Sequence, residues 1–311
     1  MLAFIASRVV QAAVVLLIVG FVAFALSSFG DPVSGTLGTD ATPAARAALS
    51  AELMLDRPYL IRYAHFMARV LHGGLGISYA AHRPVAEVIA ERLPATIELG
   101  ATATVLSLAL GMSVGVFVAL RRNSWISRLL MAGSLVGMSV PTFVLGILLI
   151  TIFAVQLGWL PSFGRGGLAA LLMPALTLAL PQSTLVARLV RAEMIEVLHA
   201  DFIRFALARG LSARLVYLRH ALRNTLVPVI TITGLQIGSL LSFATVTETV
   251  FQWPGVGLLF MQALQQTDTP VIAGLLLLIG LFYVFVNLVV DLLHATVDVR
   301  FAIAASRVTG H

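Results

Sequence analysis

Apolar positions in this chain come in long unbroken blocks, separated by polar stretches of very unequal length. The blocks fall at residues 9–29, 97–120, 129–157, 168–187, 226–246 and 271–293. The first spans about 31 Å as a helix, at 1.5 Å per residue, which matches a bilayer core of about 30 Å. No small-residue cleavage site closes it, so it reads as an uncleaved first span and not as a signal peptide. The pattern therefore predicts an all-α membrane protein of six transmembrane helices, with residues 1–311 forming one transmembrane domain. The fourth block is short and carries Pro174 and Pro181, while Pro141 and Pro228 fall inside the third and fifth. Each proline removes a backbone donor, so neighbouring groups must satisfy the carbonyl it frees.

Composition agrees with the blocks. Hydrophobic residues make up 59% and charged residues 11%, against about 45–50% and about 25% in soluble domains. The mean hydropathy is +0.99. A soluble core has no room for this much apolar surface, whereas a bilayer solvates it. The net charge is +6, with arginine supplying all 20 basic residues. A basic patch for nucleic acid needs a soluble face to sit on, and so little charge in total fits membrane topology better. With the N-terminus inside, 13 of the 20 arginines fall on cytoplasmic segments: Arg8, Arg121, Arg122, Arg128, seven between Arg188 and Arg223, and Arg300 and Arg307. The long segment 30–96 exceeds the loop length over which the positive-inside rule applies, so its arginines do not oppose an N-in, C-in orientation. There is no cysteine, which excludes a disulfide framework, a thiol nucleophile and a cysteine metal cluster.

Two connecting segments carry structure of their own. The outer one, 30–96, is too long for a bare connection, and residues 44–72 have helical apolar spacing. The inner one, 188–225, is the most charged part of the chain. Asp201 is placed to cap a short helix over 202–209, and Gly210 suits the left-handed position that ends it. Ser212 is then the N-cap of a second helix of about ten residues, with Leu211 and Val216 at the two staple positions around it. The result is a preformed helix–glycine–helix turn. A solvated basic connector is the plainer reading, but it leaves Phe202, Phe205, Leu211 and Val216 unexplained. An apolar patch rimmed by arginines suits a protein partner. Further on, 248–268 is expected to be a covered outer hairpin. Phe251, Trp253, Leu258, Leu259 and Phe260 are too apolar for open water, and Pro254, Gly255 and Gly257 interrupt any long helix.

The run DFIRFALARGLSARLVYLRHALRNTLVPVI, residues 201–230, resembles the cytoplasmic signature of ABC importer permeases in its dipeptide/oligopeptide variant. Ala206 and Gly210 stand where the general pattern has them. Arg204 and Phe205 replace its first two residues, and His220-Ala221-Leu222-Arg223 replace its close. Segments 93–99 (LPATIEL), 139–150 (SVPTFVLGILLI), 156–161 (QLGWLP) and 248–258 (ETVFQWPGVGL) are similar to the same family. So is 290–300 (VDLLHATVDVR), with Val299 where a proline is usual.

The resemblance implies a type I importer transmembrane domain in the bacterial inner membrane, the B-type permease of a peptide/nickel system. It implies a second, paralogous permease subunit, two ATPase subunits and an external solute-binding protein. No cofactor or metal is then expected on this chain, and ATP and Mg belong to the ATPase subunits. The coupling segment would comprise Asp201, Arg204, Phe205, Ala206, Gly210, Leu211 and Ser212. Nucleic acid is not an expected partner.

Two other function classes fit the residues less well. The chain has no H-E-x-x-H, no G-x-S-x-G and no P-loop, which argues against an intramembrane enzyme. Asp291 and His294, at i, i+3, read as a polar pair at a helix end. An ion-coupled secondary transporter needs ionisable groups at membrane depth. Only Glu98 and Asp291 are candidates, both near span ends. Gln182, Gln236, Ser239 and Ser242, with Thr245, are polar within apolar spans, and either line a path or bond helix to helix. Peptides, glutathione, nickel complexes and some sugars are all cargoes within the family.

Overall fold

The computed structural model describes residues 2–28, 42–52 and 55–297. Segment 30–41 and residues 298–311, which include Val299, Arg300 and Arg307, lie outside the described residues, as do the side chains of Asp291 and His294. In chain order, α1 runs Leu2–Ser28, α2 Pro43–Glu52, α3 Tyr59–Leu71 and α4 Val85–Leu120. Next come α5 (Trp125–Ser139) and α6 (Thr142–Leu149), and α6 continues into a π-helical segment, Ile150–Gln156. Then follow α7 (Leu168–Leu198), α8 (Asp201–Ala208) and α9 (Ala213–Leu215). A π-helical segment, Val216–Ala221, carries α9 straight into α10 (Leu222–Phe251), before α11 (Val256–Gln265) and α12 (Thr269–Val297). Among the described residues there is no strand beyond one isolated bridge between Ile77 and Pro84.

Helices α4, α7 and residues 269–290 of α12 are long and apolar enough to cross a membrane. Three expectations need correction. The third apolar block is not one helix: the axes of Trp125–Ser139 and Thr142–Gln156 diverge by 106°. Val140 is extended (φ −81°, ψ 122°) because the Pro141 ring disfavours helical backbone at the residue before it. The second block starts at Val85, well before 97. Val85, Val88 and Ile89 are buried at helical spacing, an amphipathic pattern that leaves no apolar run to find. The inner connection is also shorter than 188–225, because α7 extends to Leu198 and keeps Arg188 and Arg191 on its last turns.

The chain divides into two compact units, residues 1–96 with 254–285, and 97–253 with 286–311. In the first unit α3 packs on α1 through an aromatic cluster. The Phe24 ring lies 4.8 Å from Tyr59 and 5.6 Å from Phe66, and the Tyr63 hydroxyl donates to the Leu17 carbonyl at 2.8 Å. In the same unit the buried Asp268 carboxylate accepts from Ser78 Oγ at 2.5 Å and from the Tyr79 and Ala80 amides at 3.2 Å. This ties the strap before α4 to the start of α12. The Val256 amide, at the start of α11, donates to Thr96 Oγ1 at 2.8 Å.

In the second unit α7 packs against α10, α5 and α6. Helix α4 also lies close on α7, because Gly111 and Gly115 present no side chain. A Cβ at Gly111 would stand 2.6 Å from Val186 Cβ, and one at Gly115 would stand 2.7 Å from the Ala187 carbonyl oxygen. Small residues spaced by four are how membrane helices bring their backbones together. At the end of α10 in this unit Phe251 and Trp253 are buried, and in the first unit Val256, Leu258 and Leu259 of α11 are buried, as their apolar character requires.

Candidate functional site

The candidate site is the turn from α8 into α9, in the second unit. Helix α8 is amphipathic over only eight residues. Ile203 points inward, 1% exposed, and joins a buried cluster with Val186, Val190 and Met194 of α7, Val216 and Ala221. Ala206 packs against the same cluster. On the other side Phe202 is 46% and Phe205 64% exposed, and the Arg209 guanidinium sits 5.8 Å from the Phe205 ring centre. The cap expected at Asp201 is displaced by one residue. Ala200 holds the N-cap position, with no side-chain bond, and Asp201 is the first helical residue. Its carboxylate instead meets Arg204 Nη2 at 2.5 Å. Both groups are exposed, so the pair adds little. The negative charge still favours the helix N-terminus.

The end of α8 is closed by its own backbone. The Leu211 amide donates to the Ala206 carbonyl at 3.4 Å and the Gly210 amide to the Leu207 carbonyl at 3.0 Å, which is the Schellman pair. That geometry needs a left-handed residue, and Gly210 has φ +80°. Ser212, extended at φ −62°, accepts from the Leu215 amide at 3.4 Å and caps the next helix. That helix is not a separate ten-residue element. It runs through the π-helical segment into α10, so whatever moves the turn acts on a continuous rod.

The four apolar residues read from the sequence separate here. Val216 is fully buried, while Leu211 stays outside with Phe202 and Phe205. In Val216's place the outer face gains Leu215 and Leu218, 40% and 48% exposed. Ser212, Leu215, Leu218 and Arg219 line a surface hollow of about 450 Å³. Sequence reasoning missed Ile203 as the residue that seats α8. Its signal was present: Ile203 and Ala206 are three apart, on a face turned about 100° from that of Phe202 and Phe205.

Other polar residues fall into place differently. Gln182 on α7 and Gln236 on α10 are half-buried, and the side chains of Ser239 and Ser242 lie outside the described residues. The hydroxyls of Thr177, Ser183 and Thr184 all donate back to carbonyls of their own helix. Glu98 Oε2 accepts from Arg165 Nε at 2.9 Å and Nη2 at 2.5 Å.

Residues 111–303 match the family described as the inner membrane component of binding-protein-dependent transport systems, and residues 1–100 match the N-terminal region of such membrane components. The chain belongs to this family. This permease is 39% identical over 269 residues to the glutathione transport system permease protein GsiC of Escherichia coli K12, covering 86% of this chain and 88% of that one. It is 38% identical over 300 residues to GsiC of Salmonella typhimurium LT2, covering 96% and 98%. The inward-facing MetNI methionine ABC transporter shares the fold, with a TM-score of 0.59 at 17% identity over 68% of this chain and 96% of that one. The permease is thus a multi-pass protein of the bacterial inner membrane and a membrane subunit of an ABC importer, with the type I fold.

Proposed function

We propose that this permease couples ATP hydrolysis on two separate ATPase subunits to uptake of a short peptide or peptide-like solute, and that α8 with its capped turn is where an ATPase docks. The observation that carries the reading is the way α8 is mounted. Ile203 is sunk in the core, so a push on Phe202, Phe205 or Leu211 is passed to the ends of α7 and α10 and not absorbed by a loose loop. A face of exposed phenylalanine and leucine rimmed by Arg204, Arg209 and Arg219 has the make-up of a protein interface. The arginine bias toward this side supports a cytoplasmic position, within a six-span, N-in, C-in arrangement.

The chain has no P-loop, so hydrolysis falls to the partner subunits. A second, paralogous permease and an external solute-binding protein complete the assembly. The cargo class follows the relatives named for glutathione, itself a tripeptide. Gln182, Gln236, Ser239 and Ser242 are the residues assigned to the solute path. Ion coupling through Glu98 is disfavoured, because Arg165 already holds its carboxylate.

Co-purification tests the docking. Phe205→Asp places a charge in the centre of the apolar face without touching Ile203. At wild-type abundance of the permease, the ATPase should be lost from the complex and uptake should fall with it. Full ATPase recovery with normal uptake would remove α8 from the interface.

A further inference from the structure

Helix α3 belongs to the outer segment between the first two spans, which its length and charge assign to the aqueous side. Its packing places it elsewhere. With residues 9–29 as the first span, α3 crosses α1 between Leu17 and Phe24. Tyr63 bonds the Leu17 carbonyl, a Cβ at Gly20 would stand 2.6 Å from Met67 Sδ, and Phe66 meets Phe24. At 1.5 Å per residue this level lies about 12–22 Å along α1 from residue 9, from just short of the midplane into the outer half of a core about 30 Å thick.

The side chains of α3 fit that depth. At 100° per residue, Tyr59, Tyr63, Phe66 and Val70 form the face on α1. The flank beside it carries Leu60, Ala64 and Leu71, with Ile61 and Ala68 beyond. All five are exposed, Leu60 by 73% and Leu71 by 81%. Only one narrow stripe is polar: Arg62, His65 and Arg69. Arg62 lays its guanidinium 5.8 Å from the Phe24 ring centre, and its buried Nε has no hydrogen-bond partner. The neighbouring surface of α1 is exposed and apolar through Val14, Ile18 and Val22. The bare flank of α3 therefore continues the face by which the first span meets lipid.

We infer that α3 is a membrane-embedded amphipathic helix, lying in the outer leaflet with Leu60, Ala64 and Leu71 among acyl chains, Arg62 held against α1, and His65 and Arg69 turned toward the phospholipid headgroups. A helix with one apolar flank beyond its packing face, and basic residues confined to a stripe, is the form that binds at the acyl–headgroup boundary. The exposed Arg69 side chain reaches outward to phosphate while its methylenes stay in the apolar layer. Tyr63 keeps its ring in apolar surroundings at this depth because its hydroxyl is satisfied by the Leu17 carbonyl. In this position α3 braces the first span in the leaflet that faces the incoming solute.

The inference rests on residues 9–29 spanning the membrane, and the experiment separates the two. The chain has no cysteine, so single cysteines at Ile18, Leu60, Ala64 and Arg69 can each carry a nitroxide label. The complete importer is reconstituted in phosphatidylethanolamine–phosphatidylglycerol vesicles, and label collisions with oxygen and with a water-soluble nickel chelate are compared. Oxygen collisions should dominate at Ile18, Leu60 and Ala64, and the balance should shift toward nickel at Arg69. Nickel dominating at Leu60 and Ala64 while Ile18 stays oxygen-rich would put α3 in water and overturn the inference alone. Low collision with both reagents at Leu60 and Ala64 would mean that a protein partner covers them, and would also overturn it. Nickel dominating at Ile18 would remove the span and the inference together.

Discussion

Gly210→Val separates a docking turn from a plain connector, and its cost follows from the backbone. Gly210 has φ +80°, and a Cβ built there meets no atom within 4 Å. The added Cβ therefore meets no neighbour, and the main effect is the left-handed penalty, about 1–2 kcal/mol for an L-residue. The turn has two ways to respond. It keeps its shape and carries the strain, or it opens and gives up the Gly210–Leu207 and Leu211–Ala206 hydrogen bonds. An opened turn misplaces Leu211 and Ser212, and with them the outer face from Leu215 to Leu218. Either way docking is weakened by no more than the strain, a factor of about 5–30. The stability of the fold is barely touched, since α8 remains anchored through Ile203. The assay is solute uptake together with ATPase co-purification at matched permease abundance. Both should fall in Gly210→Val, and Gly210→Asn should recover most of each, because asparagine tolerates this position best after glycine. Wild-type values for the valine variant would refute the reasoning. So would an asparagine variant as impaired as the valine one, since the left-handed conformation would then not be the cause.

Four further outcomes are expected. Gly111→Val should destabilise the detergent-purified permease by about 1–3 kcal/mol, read as a lowered thermal midpoint, because its side chain would overlap Val186 and the Ser183 carbonyl. An unchanged midpoint would show that α4 has room to move off α7. Asp268→Ala strands the Ser78, Tyr79 and Ala80 donors, at about 1–3 kcal/mol for each one left buried and unpaired. Limited proteolysis should then cut within 76–84 faster than in wild type. Arg165→Gln frees Glu98 at a site where both partners are partly exposed, so uptake should survive nearly intact; its collapse would give Glu98 a direct role in transport. The reconstituted permease alone should hydrolyse no ATP and concentrate no solute, and uphill uptake by this chain without partners would sink the proposed mechanism.

The turn at Gly210 was legible in the sequence because it depends on neighbours. A glycine at C′, a serine two residues on and apolar residues on either side specify a Schellman ending and an N-cap by local backbone chemistry alone. The membrane class was equally legible, since unbroken apolar blocks leave a bilayer as the only solvent that suits them. One local inference missed by a single position: Asp201 was read as the cap, but Ala200 holds it and the carboxylate turns to Arg204.

Tertiary structure decided what depends on distant residues. Val216, read as part of the exposed patch, is buried because α7 supplies Val186, Val190 and Met194 to meet it, while Ile203, unremarked in the sequence, is buried by the same cluster. The bend at Pro141 needed the fold to become a break of 106°, since a proline alone restricts only its own φ and the residue before it. Asp268 reaches across 190 positions to Ser78, and Glu98 across 67 to Arg165; no periodicity encodes either pair. The level at which α3 crosses α1 is of the same kind. Its amphipathic spacing is written in the chain, but only the meeting of Met67 with Gly20 and of Tyr63 with Leu17 sets its depth, because burial is a property of which surfaces meet and not of the order in which residues follow one another.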